Sequence, residues 1–425
     1  MLPLWNTLIT LGWPALYLYP PFRGTIGRRL GRFELGRYDP RAAGPRVLIN
    51  AVSAGEVVAI TPFVTELLRQ RPDAQIALLT TTESGQTMAR EKLGDQLALL
   101  AYFPLIDLPF IVRRYLDRLK PDLYVTTEAE LWPNIMTGCR QRKIPVALVN
   151  ARIYLHNKHG WRAALHQRLY ELVDLVVCQS EQQRVNFLKF GLRPDKLTVS
   201  GNTKFDFELK DWDGELLGAA RVHFGLGDER VIVAGSTHPG EEELLLRTLG
   251  GAPASLAGGR LRLIVAPRHV ERAAEVAKLA AQQGLGAVLL KDLPAAEPWD
   301  VLVVDRYGVL TDTYRLADVV VMGGTFSRQV GGHNILEATV LGKPVLVGPH
   351  TFSITAQLEL LRQVGGIVEV RDSEALAAEL TRLLGQPAAA ARIGAAAREA
   401  TLANRGAAQR AVEAVLGLLA PTPGS

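Results

Sequence analysis

The stretch 319–350 reads VVVMGGTFSRQVGGHNILEATVLGKPVLVGPH. Val319, Val320, Val321 and Met322 form an unbroken apolar run that stops at Gly323 and Gly324. A run this short, rich in Val and bounded by glycine, predicts a strand buried on both faces of a parallel sheet. A second glycine pair, Gly331 and Gly332, leads into Ile335, Leu336, Thr339 and Val340, which share one face of a helix. Gly342 ends that helix, and Lys343-Pro344 opens a second strand at 345–347. Strand, glycine-rich loop, helix and strand form a nucleotide-binding half. Its loops, at Gly324 and Gly332, offer backbone amides to a phosphate at a helix N-terminus. Glu337, with Asn334, is placed to meet ribose hydroxyls. A lone glycine pair with a surface Glu fits an ordinary crossover helix equally well. The coincidence of both pairs with His333, Asn334 and Glu337 favours the nucleotide.

Outward from this unit the chain alternates in the same way. Strand-like runs fall at 47–52, 75–81, 97–103, 123–127, 146–149, 175–178 and 197–200. A second series falls at 231–234, 261–265, 287–290, 301–304, 319–322 and 345–347, with helical patterns between (62–71 and 111–119 among them). The pattern predicts an α/β protein of two Rossmann-like, doubly wound domains with a cleft between them. The expected division is an N-terminal segment 1–45, a first domain 46–210, a linker 211–229 and a second domain 230–425. The Ala-rich stretch 372–419 is expected to be helical, and 421–425 to fray.

A length of 425 residues, 48% hydrophobic and 21% charged, suits two ordinary globular cores. Cys139 and Cys178 make no disulfide framework, and no His/Asp/Glu spacing suggests a metal, so neither metal nor cofactor is expected. The net charge of +5 is uneven, since residues 1–210 hold 28 Lys and Arg against 19 Asp and Glu. A basic first half implies an anionic partner. No basic run is interleaved with aromatics and no nucleic-acid module appears, so a phosphorylated lipid surface fits better than nucleic acid. Residues 1–22 lack charge and carry Trp5, Trp13, Tyr17 and Tyr19, followed by Arg23, Arg28, Arg29, Arg32 and Arg37. Met1 to Arg37 therefore reads as a membrane attachment, spanning or interfacial, with the body held cytoplasmic by the arginines. A buried core helix is the competing reading, and Pro3, Pro14, Pro20 and Pro21 argue against a straight spanning helix.

Ligands in open α/β sheets bind beyond the carboxyl ends of the strands. There the first domain places Ser53, Gly55 and Glu56. Glu56 can take a proton from an attacking hydroxyl, or can merely favour the helix N-terminus that follows. Glu128 and Glu130 end the strand at 123–127 ahead of Trp132, with one of them free to hold Arg152 or Lys204 in an ion pair. Asn150 and Arg152 end the next strand, and Lys204 follows the last. In the second domain Ser236 and Thr237 lie in the loop Gly235-Ser236-Thr237-His238, and Arg268 in Pro267-Arg268-His269. Their hydroxyls, amides and guanidinium suit a phosphate or, for Arg268, a base.

Eight stretches in order, AVSAGE, TEAELWPN, NARI, GNTKFD, AGSTHPGEE, APRH, GGTFSRQVGGHNILEA and GKPVLVGPHTF, resemble the 3-deoxy-D-manno-octulosonic acid (Kdo) transferases of lipopolysaccharide assembly. The resemblance implies a GT-B glycosyltransferase that inverts at the anomeric carbon without a metal. It further implies CMP-Kdo as donor, a lipid A precursor as acceptor, and the cytoplasmic face of the inner membrane. On this pattern Glu56 matches the general base and Glu128/Glu130 an essential acid. Ser236, Thr237, Arg268, Asn334 and Glu337 match the donor side. The chain departs from the pattern at Asn50, Val309, Ala338 and Ser353, keeping the base and the phosphate loops. A divergent transferase for another ulosonic acid or lipid, a GT-B nucleotide-sugar epimerase and a non-catalytic binding protein stand as alternatives.

Overall fold

A computed structural model describes residues 6, 7, 9, 10, 24–153, 161–207, 212–250, 261–295 and 298–419. The chain divides into two units, 1–207 with 404–425, and 208–403.

Among the described residues the first unit holds a seven-stranded sheet in the order β3-β2-β1-β4-β5-β6-β7. The strands are β1 (Arg46–Asn50), β2 (Gln75–Thr80), β3 (Leu99–Tyr102), β4 (Leu123–Thr127), β5 (Val146–Ala151), β6 (Leu175–Cys178) and β7 (Leu197–Val199). Every pairing is parallel. Strand side chains alternate between faces, so Leu48 enters one core while Val47, Ile49 and Ala51 enter the other. Both faces are covered by helices, which is why the strands read as continuous apolar runs. The order reverses between β1 and β4, and Glu56 and Glu128 follow those two strands.

Three expectations need correction here. The attachment segment 1–22 lies largely outside the described residues. Of its described part, Ile9 is buried in the first core and Asn6 accepts from Asn134 Nδ2 at 2.7 Å, so this part belongs to the domain. No helix among the described residues is long and apolar enough to cross a membrane. The arginines are not uniformly presented either. Arg29 is buried, donating to Thr25 Oγ1 and to the Thr81 carbonyl, because its guanidinium lies over the Tyr102 ring. Third, residues 404–425 belong to the first unit. The helix Ala407–Leu416 sets Ala411, Val412 and Val415 into the same core as Val57, Ile60 and Val64 of helix Ala54–Gln70. The expected frayed end at 421–425 lies outside the described residues.

The second unit holds another parallel seven-stranded sheet among the described residues, ordered β10-β11-β9-β8-β12-β13-β14. Its strands are β8 (Arg230–Thr237), β9 (Leu261–Pro267), β10 (Ala287–Leu289), β11 (Val301–Val303), β12 (Val319–Met322), β13 (Val345–Val347) and β14 (Val368–Glu369). The order reverses between β8 and β12. The stretch 211–229, expected as linker, contains the helix Gly214–His223, capped by the Asp213 side chain on Leu216 N. The helix expected after Gly332 is only four residues, Leu336–Thr339, although Ile335, Leu336, Thr339 and Val340 are all buried as their spacing requires.

Candidate functional site

At the carboxyl rim of the first sheet, Ser53 occupies the N-cap position of the helix Ala54–Gln70 without a side-chain bond to a helix amide, and Glu56 stands three residues later. That is capping-box spacing, in which the acid reaches back to an amide ahead of the helix. Glu56 Oε2 accepts from Val52 N at 2.9 Å and from Thr127 Oγ1 at 2.8 Å, while Oε1 accepts from Ser53 Oγ at 3.1 Å. Burial raises its pKa above the ordinary glutamate value, the charge of Glu128 adds to the rise, and the three hydrogen bonds oppose it. Gly55 is exposed, with an ordinary φ, and a Cβ there would meet only Ser53 Oγ at 3.9 Å, so the fold does not itself demand glycine there.

Glu128 sits in a left-handed conformation, φ 54°, and is 6% exposed. It pairs with Arg152 and, at 3.0 Å, with Lys204 Nζ. One carboxylate of the acidic pair is thus an anchor that gathers three strand ends. Glu130 is pushed up to about 7, first by burial and then by the charges of Glu56 and Glu128. Asn150 is fully buried at φ 55°, its Oδ1 accepting from Thr203 N at 3.2 Å, so it serves the loop rather than the surface. Thr127 was not foreseen, although a Thr at a strand end one residue before Glu128 is the only local signal available. Asp107 was not foreseen either. It is buried at φ 57° and accepts from Asn134 N and Ile135 N, capping the helix Pro133–Gln141 behind Glu130. Burial pushes its carboxyl up to about 7 against those two bonds.

At the rim of the second sheet the loops are more self-contained than their glycines suggest. Glu241 is buried and accepts from three amides: His238 at 2.9 Å, Gly324 at 2.7 Å and Phe326 at 2.9 Å. The Gly332 amide donates to the Gly324 carbonyl, and Thr237 Oγ1 donates to Glu242. The Gly324 and Gly332 amides and the Thr237 hydroxyl, expected on a phosphate, are therefore already engaged. The acceptors are internal: Glu241 for Gly324, the Gly324 carbonyl for Gly332 and Glu242 for Thr237. Gly323 must be glycine, since a Cβ would lie 2.3 Å from the Ser236 carbonyl.

The Ser236 hydroxyl and the Arg268 guanidinium have no hydrogen-bond or ion-pair partner among the described residues, and both remain available to an anion. Glu337 accepts from Thr311 Oγ1 at 2.6 Å and from Asn334 Nδ2 at 3.1 Å, which orients its carboxylate at the mouth of the Gly332 loop. His238 and His333, quoted in motifs but given no role by sequence reasoning, meet through their Nε2 atoms at 2.8 Å. Among the described residues no group of three or more His, Cys, Asp or Glu is arranged to hold a metal ion.

Comparison with known proteins places these residues in context. Residues 25–207 match the family described as 3-Deoxy-D-manno-octulosonic-acid transferase (kdotransferase). The 3-deoxy-D-manno-octulosonic acid transferase of Haemophilus influenzae is 30% identical over 407 residues, spanning 95% of this chain and 92% of its own. That of Bordetella pertussis is 30% identical over 404 residues, 91% of this chain and 92% of its own. Among solved structures, a glycosyltransferase from Rickettsia africae aligns with TM-score 0.61 at 15% identity, over 90% of this chain and 100% of that one. A UDP-GlcNAc 2-epimerase from Neisseria meningitidis aligns with TM-score 0.60 at 17% identity, over 88% and 100%. The structural likeness, at these identities, is one of fold: two parallel-sheet α/β domains of GT-B type.

Proposed function

We propose, from the premise that this chain belongs to the Kdo transferase family and is a glycosyltransferase, that it transfers Kdo from CMP-Kdo to a lipid A precursor. The setting is lipopolysaccharide assembly at the cytoplasmic face of the inner membrane. The observation that carries the reading is Glu56, a half-buried carboxylate fixed by three donors at the carboxyl end of β1. In the transfer, the acceptor hydroxyl attacks the anomeric carbon of Kdo. Its proton passes to the Glu56 carboxylate, and the bond from that carbon to the phosphate oxygen breaks, its electron pair leaving with CMP. Attack opposite the leaving group inverts the centre. Charge accumulating on the phosphate is met by Arg268 and the Ser236 hydroxyl, while Glu337 receives the ribose hydroxyls.

Glu128 acts one step removed, holding Arg152 and Lys204 at the acceptor side. Glu130, poised near neutrality, sets with Glu56 a pair in which one proton suppresses mutual repulsion. The test is incubation of the full-length protein with CMP-Kdo and a lipid A precursor, with and without chelator, followed by mass measurement of the lipid. Gain of Kdo units with chelator present is the expected result. No product from both substrates, together with conversion of the donor alone, would replace this reading with an epimerase.

A further inference from the structure

His238 and His333 are 95 residues apart in sequence and close the gap between the loops that follow β8 and β12, where the second sheet reverses order. Their Nε2 atoms are 2.8 Å apart and their ring planes differ by 2°, with centroids 5.1 Å apart. Such rings meet edge to edge, so the contact is an N–H···N hydrogen bond. One ring donates from Nε2 and the other, as the opposite tautomer, accepts. The His333 ring is seated against Gly324, where an added Cβ would lie 3.0 Å from Cδ2 and 3.2 Å from Nε2.

The charged groups facing the pair are mostly cationic. His269 stands 6.1 Å from His238 by ring centroids, and Arg268 and Arg272 lie beside it. Arg272 is committed to Glu242 at 2.7 Å and Glu275 at 3.0 Å, and Glu241 is committed to the loop amides. Burial first, then these neighbours, push His333 down to about 4 and lower His238 also. The pair is therefore neutral at neutral pH, in surroundings that lack a free counter-anion among the described residues.

We propose that the His238–His333 pair is a proton-accepting part of the phosphate subsite of the second domain. A nucleotide phosphate bound beside Arg268 draws one proton from solvent onto the pair and turns the neutral N–H···N bond into an imidazolium–imidazole bond. The donor phosphodiester carries one negative charge on its phosphate, and CMP gains a second as the bond to the sugar breaks. The proton on the pair faces that growing charge and returns to solvent when CMP leaves. The inference rests on the reading that this domain holds the CMP-linked donor.

The experiment is calorimetric titration of the full-length protein with CMP in buffers of different ionisation enthalpy. It is done at about pH 7.5 and above, well clear of the phosphomonoester's second pKa of about 6, so that free CMP is almost fully ionised. The wild type is expected to take up close to one proton per CMP, and its affinity to fall up to about tenfold per pH unit as pH rises. Cytidine, which lacks the phosphate, should bind without uptake. His238→Gln keeps a hydrogen-bonding partner for His333 but weakens the pair as a proton acceptor, so it should bind CMP with little uptake and a flat pH profile. His333→Gln should behave alike, and if it fails to fold the wild type and His238→Gln decide the matter. CMP binding by the wild type with no dependence on buffer, or uptake undiminished in His238→Gln, overturns the inference alone. UMP binding with the same uptake where CMP does not bind would sink the donor reading and leave the pair's role standing. Binding of neither nucleotide removes both.

Discussion

Replacing Glu56 by Gln separates two roles that one carboxylate fills. As a cap it accepts from Val52 N, Thr127 Oγ1 and Ser53 Oγ. A Gln amide at the same position can meet all three groups: its oxygen accepts from Val52 and Thr127, and its nitrogen donates to Ser53, whose hydroxyl turns to accept. Gln is also the other residue that capping boxes use. With no donor orphaned and one partly buried charge removed, stability should stay within about 1 kcal/mol of wild type. As a base, by contrast, the amide is inert, and turnover should fall by at least about 10²-fold. Kdo transfer to lipid acceptor, read by mass spectrometry, and urea midpoints on the same preparations give the two numbers. Glu56→Ala should lose both turnover and stability. Near-normal turnover by Glu56→Gln would reduce Glu56 to a cap and refute the mechanism.

Glu128 supplies a second handle, because its charge adds to the rise of the Glu56 carboxyl. The rate should fall as pH drops through the raised value of Glu56, and Glu128→Gln should move that acid limb to lower pH in a pH–rate profile. Asp107, raised from 3.8 to about 7, contributes stability that is fully present below 3.8 and lost as pH rises through about 7. Asp107→Asn should flatten that part of the stability profile, read from urea midpoints on either side of neutrality. Glu241→Ala strips three amides of their acceptor and should cost roughly 2–4 kcal/mol in the second domain, measured by denaturation of the intact chain.

The parallel sheets were legible because Val- and Leu-rich runs buried on both faces leave an unbroken apolar signature, as at 319–322 and 146–149. β14 was not, since two residues, Val368 and Glu369, carry no periodicity. The site was legible wherever a strand end carries a charged residue, hence Glu56, Glu128 and Arg268. The ion pair of Glu128 with Arg152 and Lys204 was within reach of the sequence, whereas the Val52, Ser53 and Thr127 donors that fix Glu56 were not. Glycine-rich composition told of tight loops at Gly324 and Gly332 but not that Glu241, more than eighty residues earlier, takes the Gly324 amide, nor that the Gly324 carbonyl takes that of Gly332. Likewise Ile9 and Asn6 sit in a charge-free stretch whose composition suits a bilayer and a protein core equally, and only their partners decide between the two.

The return of the chain's end to the first domain bears on how the molecule is made. Asp206 accepts from the amides of Gly406 and Ala408, and Arg405 donates to the Phe207 carbonyl, so the exit and re-entry points are knotted together by hydrogen bonds. The helix Ala407–Leu416 covers apolar side chains of Ala54–Gln70. During synthesis the domain begun first therefore stays unfinished, with Val57, Ile60 and Val64 short of their cover, until residues 407–416 have followed the whole of 208–403. The domain begun second, one continuous piece from 208 to 403, can close before then. A stop codon placed just after 403 would spare the second unit and cripple the half that was translated first.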